Sequence, residues 1–387
     1  MKHNVISAKQ MHAVVSFFLF GSSLITGAST VAKQDTWVCV IFGFLLSIPM
    51  MLVHAGILDL YPGRSYYGNI IKIYGRLGGR IVVFLLSLFA LYLGGLVLRT
   101  FSEFIHVVNM TGTPLVAISA FIIGTAVCVL ENRIYTVARI SKFVLPIVIV
   151  SIFITLGLSI QDIDLDNIKP FLGSGFSNIM QGTTLFLVLP FGEIGACAPV
   201  FEGLDRKKKI FPVFLYGAVS GFLTIFVANI RNLLVLGYSA QIYPFASYQS
   251  VSVITYGEFF TRIEVLIGIN LLFAGFIKVC VLIYSAASGF TKIFGLDDYV
   301  PLLAPCGLLV FMITLTVHSN MDEMFDWLKY LPALALPVQV VLPVVTLVVG
   351  YARKKLSGKK RPPRRKAEGA NKSSSSAETK ETAPQPE

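Results

Sequence analysis

Residues 189–195 read Leu-Pro-Phe-Gly-Glu-Ile-Gly and interrupt an apolar run, 178–200, that is long enough to span a membrane. Proline and glycine release backbone hydrogen-bonding groups, and at membrane depth these groups must find partners in the protein or line a cavity. The same stretch carries a carboxylate at Glu193, which is costly to place in hydrocarbon. We therefore interpret the stretch as a broken helix beside a polar cavity.

A second interruption of the same kind lies in the first apolar run, residues 12–32. It reads Gly-Ser-Ser-Leu-Ile-Thr-Gly-Ala-Ser-Thr over residues 21–30. The two interrupted runs are five runs apart, which is typical of five-plus-five inverted-repeat transporters that bind substrate near the bilayer midplane. The alternative interpretation is that the small residues only allow close helix packing.

The two breaks supply the candidate solute site. We expect a small solute to lie between them, held by the backbone groups that the breaks release, with its carboxylate favoured by a positive half-helix end. We also expect the glycines of both breaks to face a cavity. The candidate ligand-binding residues are Gly21, Ser22, Thr26, Gly27, Pro190, Phe191, Gly192 and Glu193.

The whole chain has the composition of a polytopic membrane protein. Of its 387 residues, 55% are hydrophobic and 14% are charged, whereas soluble domains carry about 25% charged residues. Runs long enough to cross about 30 Å of hydrocarbon lie at 12–32, 37–58, 80–107, 114–130, 138–160, 178–200, 211–236, 263–290, 301–319 and 332–351. We predict an all-α domain over residues 1–352 with ten transmembrane helices, which we number segments 1 to 10.

The distribution of basic residues between the loops predicts the topology. Cytoplasmic loops carry an excess of Lys and Arg, and with a cytoplasmic N-terminus this rule is met throughout. The predicted inner segments contain Lys2, Lys9, Arg64, Lys72, Arg76, Arg80, Arg133, Arg139, Lys142, Arg206, Lys207, Lys208, Lys209 and Lys292. The predicted outer loops contain Lys33, Lys169, Arg262 and Lys329. We therefore predict a multi-pass protein with both termini in the cytoplasm.

Residues 353–387 form a polar, basic tail. Residues 351–387 hold 11 Lys and Arg against 4 Asp and Glu, so most of the chain's net charge of +11 lies there. The tail has almost nothing to bury, and we predict that it is disordered. A polybasic segment beside a membrane helix is attracted to anionic lipids. We therefore predict an anionic lipid partner for the tail and no nucleic acid partner.

Glu193 in segment 6 and Lys278 in segment 8 are charged residues predicted near the midplane. Each lies about 15 residues into a run that enters from outside, so at 1.5 Å per residue they reach a similar depth. We predict a buried ion pair or polar network between them, in which Lys278 supplies the fixed positive charge that sodium provides in sodium-coupled relatives of this architecture. The alternative is that Lys278 snorkels to the inner surface.

Other charged residues lie near the outer ends of predicted helices. Arg99 and Glu103 are spaced i,i+4 in segment 3, and Arg231 lies in segment 7. We expect them to form interfacial pairs or to snorkel, with a structural role.

Enzymatic and metal-binding motifs are not visible in the sequence. It has no nucleophile elbow, P-loop or HExxH motif, and its five cysteines lie singly in apolar runs without metal-ligand spacing. We expect neither an enzyme nor a cofactor.

Ordered motifs along the membrane portion carry a family resemblance. They include Tyr61-Pro62-Gly63-Arg64, Leu98-Arg99-x-Phe101-x-Glu103, Pro190-Phe191-Gly192-Glu193, Arg262-Ile263-Glu264 and Gly275-Phe276-Ile277-Lys278. In their order and spacing the chain resembles the B subunits of spore germinant receptors, a branch of the amino acid/polyamine/organocation transporter superfamily. The resemblance implies a LeuT-type fold and a nutrient-sensing role in the spore inner membrane, with an A subunit and a lipoprotein C subunit as partners.

The functional prediction is a nutrient-sensing subunit that binds a small solute, expected to be an amino acid, and signals germination to its partner subunits. One alternative is an ion- or proton-coupled amino acid transporter. A second is a membrane scaffold subunit without its own ligand, which does not explain the paired breaks. The residues alone indicate a midplane site for a small solute. The sensory role, the partners and the spore come from the resemblance.

Truncation after residue 358 tests the role of the tail. We expect membrane insertion and nutrient response to persist, because the removed segment lacks apolar residues that could pack. Membrane fractionation and a germination assay would measure both properties. Loss of insertion would contradict the interpretation of the tail as a dispensable appendage.

Overall fold

The computed structural model describes residues 5–23, 31–61, 63, 65–205, 207–253 and 264–358, and it is helical almost throughout. An isolated bridge pairs Ile6 with Leu204. The α-helices are α1 Ala8–Ser23, α2 Thr36–Leu60, α3 Tyr66–Tyr74, α4 Arg76–Val108, α5 Leu115–Glu131, α6 Ile134–Leu158, α7 Phe176–Phe186, α8 Ile210–Leu236, α9 Ala246–Ser252, α10 Glu264–Phe294, α11 Leu303–Thr316, α12 Met321–Trp327, α13 Leu331–Leu336 and α14 Leu342–Gly358.

The all-α membrane architecture is confirmed, whereas the count of ten spans stays a prediction. Within the described ranges, seven helical stretches are long and apolar enough to cross a membrane. They are Lys33–Leu60, Arg76–Val108, Ile134–Asp162, Phe176–Gly203, Ile210–Ala240, Glu264–Phe294 and Leu331–Leu356. Segment 9 forms α11, and α12 follows just beyond it. Val300–Thr316 and Met321–Trp327 are bent by 101° and make an eighth span if they cross together. Segments 1 and 4 form α1 and α5, of 16 and 17 residues.

Helix α3 is a short helix that the hydropathy pattern does not predict. The Ser65 side chain accepts a hydrogen bond from the Gly68 N–H and caps its start. Gly75, at φ +87°, lies in the left-handed region that favours glycine and ends the helix. The Asn69 amide donates to the carbonyls of Ile57 and Leu58, which joins α3 to the end of α2. This attachment holds α3 against the end of α2.

The centre of the protein is formed by α1, α4, α8 and α10, with α1 packed between α8 and α10. Small residues allow these backbones to approach closely. The Ser16 hydroxyl in α1 donates to the Gly217 carbonyl in α8 at 3.0 Å. Side chains on the outer faces of α5 and α6, such as Phe121 and Phe143, are exposed. In a bilayer these faces contact lipid.

Arg133 and Asp298 join two loops that lie on the predicted cytoplasmic side. The guanidinium of Arg133 donates to both oxygens of Asp298 at 2.5 and 2.9 Å. These hydrogen bonds lower the pKa of the Asp298 carboxyl. The Tyr299 hydroxyl accepts from the backbone N–H of Ile134, so the loop before α6 is held against the start of segment 9.

The last span continues beyond residue 352, the predicted end of the membrane domain. Helix α14 runs to Gly358. Arg353 donates to the carbonyl of Ile73 at 2.6 Å, and Lys354 donates to the carbonyl of Leu60 at 3.1 Å. These carbonyls lie at the ends of α3 and α2, where helices leave backbone acceptors unpaired. The first basic residues of the tail therefore bind the membrane domain.

Cysteine labelling of intact membranes from outside tests the topology. Asp164, Glu323 and Lys208 are exposed, so burial does not block the reagent at any of these positions. With Cys128→Ser as the background, we expect reaction of Asp164→Cys and Glu323→Cys but not of Lys208→Cys. Lys208→Cys should react only after permeabilisation. Reaction of Lys208→Cys in sealed membranes would contradict the predicted orientation.

Candidate functional site

Segment 6 is broken at the predicted stretch. Helix α7 ends at Phe186, and a π turn follows over Leu187–Phe191. Inside this turn Leu189 has extended backbone, with φ −136° and ψ 112°. The chain then continues as a tight 3₁₀ segment, Gly192–Gly203. The irregular backbone lies within a stretch that is long and apolar enough to span a membrane.

The predicted residues of segment 1 are described only in part. Gly21 is buried near the end of α1. Ser22 belongs to α1, but its side chain is outside the described part of the structure. Thr26 and Gly27 lie outside the described residues, and so does most of the predicted break in this segment.

The structure brings Glu193 and Lys278 together. The Lys278 ammonium donates to Glu193 Oε2. The side chains are 1% and 0% exposed, so Lys278 does not snorkel to the inner surface. The Lys278 Nζ also lies 5.0 Å from the centroid of the Phe18 ring, within the range of a cation–π interaction. The ion pair therefore joins segment 6, α10 and α1.

Aromatic side chains surround the break on its α2 and α8 side. The Phe191 ring lies edge-on to Phe44 of α2, with centroids 5.5 Å apart. Phe44 in turn stacks on Phe222 of α8 at 4.4 Å. Phe191 and Phe44 are buried, and such aromatic contacts contribute packing energy beyond their buried area. Sequence reasoning missed Phe44 and Phe222, because nothing in their own segments distinguishes them from ordinary core residues.

Both described glycines of the predicted site are close-packed. We expect them to face a cavity, and only Gly192 borders one, of about 20 Å³, whereas Gly21 packs against α10. A Cβ at Gly21 would lie 3.0 Å from the carbonyl oxygen of Ala274, against α10. A Cβ at Gly192 would lie 2.5 Å from Gln339 Oε1 and 2.6 Å from the Leu187 carbonyl oxygen. The glycines therefore allow other groups to approach the broken backbone closely.

Glu193 borders two small cavities. One, of about 30 Å³, lies toward α12 and is also lined by Thr100, His318 and Trp327. The other, of about 20 Å³, lies toward α3 and is also lined by His54, Tyr66, Gly192 and Gln339. Each is large enough for a water molecule. The described side chains thus pack around the ion pair and leave room beside Glu193 only for water-sized molecules.

A larger cavity of about 470 Å³ lies elsewhere in the described structure, between α1, α6 and α8. Its walls are mainly apolar and include Phe153, Tyr216 and Leu223, which are exposed toward the surroundings. Glu193 and Lys278 do not line it. We interpret it as a groove on the lipid-facing surface.

Arg99 and Glu103 form the expected i,i+4 ion pair at 2.6 Å. Arg99 also donates to the carbonyls of Thr314 and Ser319 at 3.4 and 3.3 Å. The pair is nearly buried and connects α4 to the end of α11. These contacts fit a structural role.

Arg231 is buried, with 1% of its surface exposed, instead of pairing at the interface or snorkelling. Its guanidinium donates to Thr155 Oγ1 at 3.0 Å, Asn232 Oδ1 at 3.0 Å and the Ser247 carbonyl at 3.2 Å. Within the described ranges no carboxylate pairs with it. Neutral oxygens from α6, α8 and α9 therefore stabilise this charge.

Comparison with known proteins places these features in a family. A family model described as "Spore germination protein" matches residues 5–323. Spore germination protein KB of Bacillus subtilis (strain 168) is 26% identical over 359 residues, which cover 90% of this chain and 95% of the relative. Spore germination protein YndE of the same organism is 26% identical over 361 residues, which cover 90% and 97%.

Solved transporters share the fold at low identity. Mhp1, a nucleobase-cation-symport-1 family transporter solved in a closed conformation with bromovinylhydantoin bound, matches with a TM-score of 0.66 at 12% identity, over 89% of this chain and 80% of its own. MhsT in complex with L-phenylalanine matches with a TM-score of 0.60 at 13% identity, over 92% of both chains. A Na⁺-coupled sialic acid symporter has a TM-score of 0.62 at 12% identity, over 90% of both. The LeuT-type fold is confirmed.

Removal of one partner of the buried ion pair tests its contribution to stability. We expect Lys278→Met or Glu193→Leu alone to lower the free energy of unfolding by about 3–5 kcal/mol, because each leaves a buried charge unpaired. The double variant should recover most of this loss, because apolar pairs often replace buried ion pairs at little cost. Chemical unfolding in detergent would measure all three variants.

Lys329→Met is a control for this comparison. Lys329 pairs with Asp326 at the surface, with 71% of its side chain exposed, so we expect no measurable change. Additive losses in the double variant would contradict the role of the pair.

Proposed function

The chain belongs to the family of spore germination proteins, and from this premise we propose that it is the nutrient-sensing subunit of a spore germinant receptor. In this proposal a small nutrient, expected to be an amino acid, binds beside the break in segment 6. Binding is then signalled to A and C subunits in the spore inner membrane. The subunit arrangement and the membrane follow from the family resemblance.

The observation that carries the proposal is the fully buried contact between Glu193 and Lys278 at the broken backbone. Two charges at membrane depth are retained where they have a function or a partner. An amino acid carries a carboxylate and an ammonium, so it can offer each of these residues a partner of opposite charge. Backbone groups released by the break can bind the same solute. A site of this kind selects small zwitterions over neutral solutes.

The likeness to solved transporters supports a small solute as ligand. One of them, MhsT, is described as a complex with L-phenylalanine. Since the fold alone is shared at 13% identity, the likeness supports the position of the site more than the identity of the ligand. The contact of the ion pair with Phe18 in α1 supports the same position, between segments 1, 6 and 8.

Ion- or proton-coupled amino acid transport is a second candidate. It is favoured by the neighbouring structures, which include a nucleobase-cation-symport-1 family transporter and a Na⁺-coupled symporter. In this chain Lys278 would supply the fixed charge, and Glu193 or Lys278 would exchange a proton. The two candidates differ in one measurable property, the net movement of solute across a membrane.

Germination assays test the sensing proposal. We expect deletion of the chain from its sporulating host to abolish germination with some members of a panel of single amino acids. When expressed in the deletion strain, the Glu193→Gln and Lys278→Met variants should accumulate in the spore membrane. They should raise the amino acid concentration that gives half-maximal germination by about tenfold or more, which corresponds to about 1.4 kcal/mol of lost binding. Immunoblots of spore membranes would confirm that the variants accumulate.

Lys329→Met, which removes a surface charge of the same type, should respond as the wild type does. If both site variants accumulate normally and germinate at the same half-maximal amino acid concentration as the wild type, the ion pair has no role in nutrient response.

Uptake into proteoliposomes separates sensing from transport. We expect the purified chain alone not to concentrate any labelled amino acid that triggers germination, with or without a sodium or proton gradient. Concentrative uptake that is lost in Glu193→Gln would establish the transporter instead.

A further inference from the structure

A cluster of buried polar atoms without hydrogen-bond partners lies beside the ion pair. In the part of the chain that the structure describes, His54 Nε2, Glu193 Oε1 and both amide atoms of Gln339 have no partner. All three residues line the same cavity of about 20 Å³. Buried polar atoms in proteins are nearly always hydrogen-bonded, directly or through ordered water. Several unsatisfied atoms around one cavity therefore indicate a bound molecule.

The sequence Gly192-Glu193-Ile194-Gly195 allows this cluster to form. A Cβ at Gly195 would lie 2.6 Å from His54 Nε2, and a Cβ at Gly192 would lie 2.5 Å from Gln339 Oε1. Any larger residue at either position would displace the polar side chain that faces it. The two glycines thus admit one side chain from α2 and one from the last span, on either side of Glu193.

Gln339 is placed by a π turn, Pro337–Val341, between α13 and α14. Such turns inside helices occur frequently at functional sites. Gln339 is 4% exposed, and no described residue binds its amide. Burial of an amide in the last span requires compensation, which the cavity provides.

We propose that this cavity holds one water molecule that hydrogen-bonds to His54, Glu193 and Gln339 and couples the last span to the ion pair. The volume fits one water, which needs about 10–15 Å³ and two to four polar partners. The charge balance of the site favours a neutral water molecule over a metal cation. Because Lys278 already balances Glu193, a cation would add an unpaired charge in a buried site.

The hydrogen-bonding groups balance around one water molecule. The Tyr66 hydroxyl lies 2.8 Å from His54 Nδ1. When this hydroxyl donates to Nδ1, the imidazole carries its proton on Nε2 and donates it to the water. The water then donates its two protons to Glu193 Oε1 and Gln339 Oε1, which are acceptors. This assignment satisfies three of the four unpaired atoms.

The water gives His54 and Gln339 a positioning role. Hydrogen bonds to Oε1 stabilise the ionised form of Glu193, which is the form that binds Lys278 through Oε2. The last span contributes to this through Gln339, and the same span binds the ends of α2 and α3 through Arg353 and Lys354. A shift of the last span would remove the water and weaken the ion pair. This inference deepens the proposed function and rests on the same ion pair, although its tests require no nutrient.

A high-resolution structure of the full chain in lipid nanodiscs tests the water directly. We expect one density peak within hydrogen-bond distance of His54 Nε2, Glu193 Oε1 and Gln339, equal in sodium chloride and in choline chloride. An empty cavity, or a peak that disappears without sodium, would overturn the proposal. Failure of the nutrient response would leave this result unaffected, so the two proposals fail separately.

Infrared spectroscopy of the reconstituted protein tests the coupling. We expect Gln339→Leu and His54→Phe to add a protonated-carboxyl band that is absent from the wild type, because Glu193 loses hydrogen bonds that favour its ionised form. The band should vanish when Glu193→Gln is combined with either change, which assigns it to Glu193. Gln181→Leu, at an exposed amide in α7, should leave the spectrum unchanged. Spectra without this band in both cavity variants would overturn the coupling, since a purely structural role does not require a new protonated carboxyl.

Discussion

The buried contact between Glu193 and Lys278 constrains the surrounding structure. A carboxylate and an ammonium at membrane depth are tolerated when each compensates the other. For the contact to form, segment 6 must bring Glu193 toward α10, and α1 must leave room for the Lys278 stem, which it does at Gly21. The break before Glu193 supplies the irregular backbone that this placement needs. Fold and site are therefore determined by the same few residues.

Hydropathy alone predicts most of the helical architecture, because long apolar runs must either cross a membrane or be buried. Helices α2, α4, α6, α8 and α10 agree with the predicted runs. Helix α3 escapes prediction because its nine residues are too few for a membrane span, although a capping serine and buried apolar residues such as Ile70 and Ile73 hold it in place. The helical end of the last span is missed for a different reason. Its residues are polar, and Arg353 and Lys354 hold them through backbone carbonyls of distant helices.

Sequence reasoning proposed the ion pair because charges are rare in apolar runs and depth can be counted along a helix. The same reasoning does not place His54 and Gln339 at the site, because they come from two other segments and lie near Glu193 only through tertiary packing. Gly192 and Gly195 are a usable signal, because both line the small cavity beside Glu193. Each also accommodates a polar side chain from another segment, which the sequence does not predict. The expectation that Arg231 pairs at the interface or snorkels is wrong, because its neutral partners on α6 and α9 cannot be recognised from sequence spacing.

The closed packing around the ion pair limits how a ligand could act under the proposed role. The cavities that border Glu193 hold about 20 and 30 Å³, which is too little for an amino acid. Binding would therefore require the described side chains to separate. Lys278 would then bind the carboxylate of the solute, and Glu193 would bind its ammonium, in place of their contact with each other. A neutral solute offers no such exchange and would leave two buried charges poorly compensated. Opening would also displace the Gln339 side chain from Gly192, so occupancy of the site would change the position of the last span. Because that span leads into the basic tail, it connects the ion pair to the predicted cytoplasmic surface.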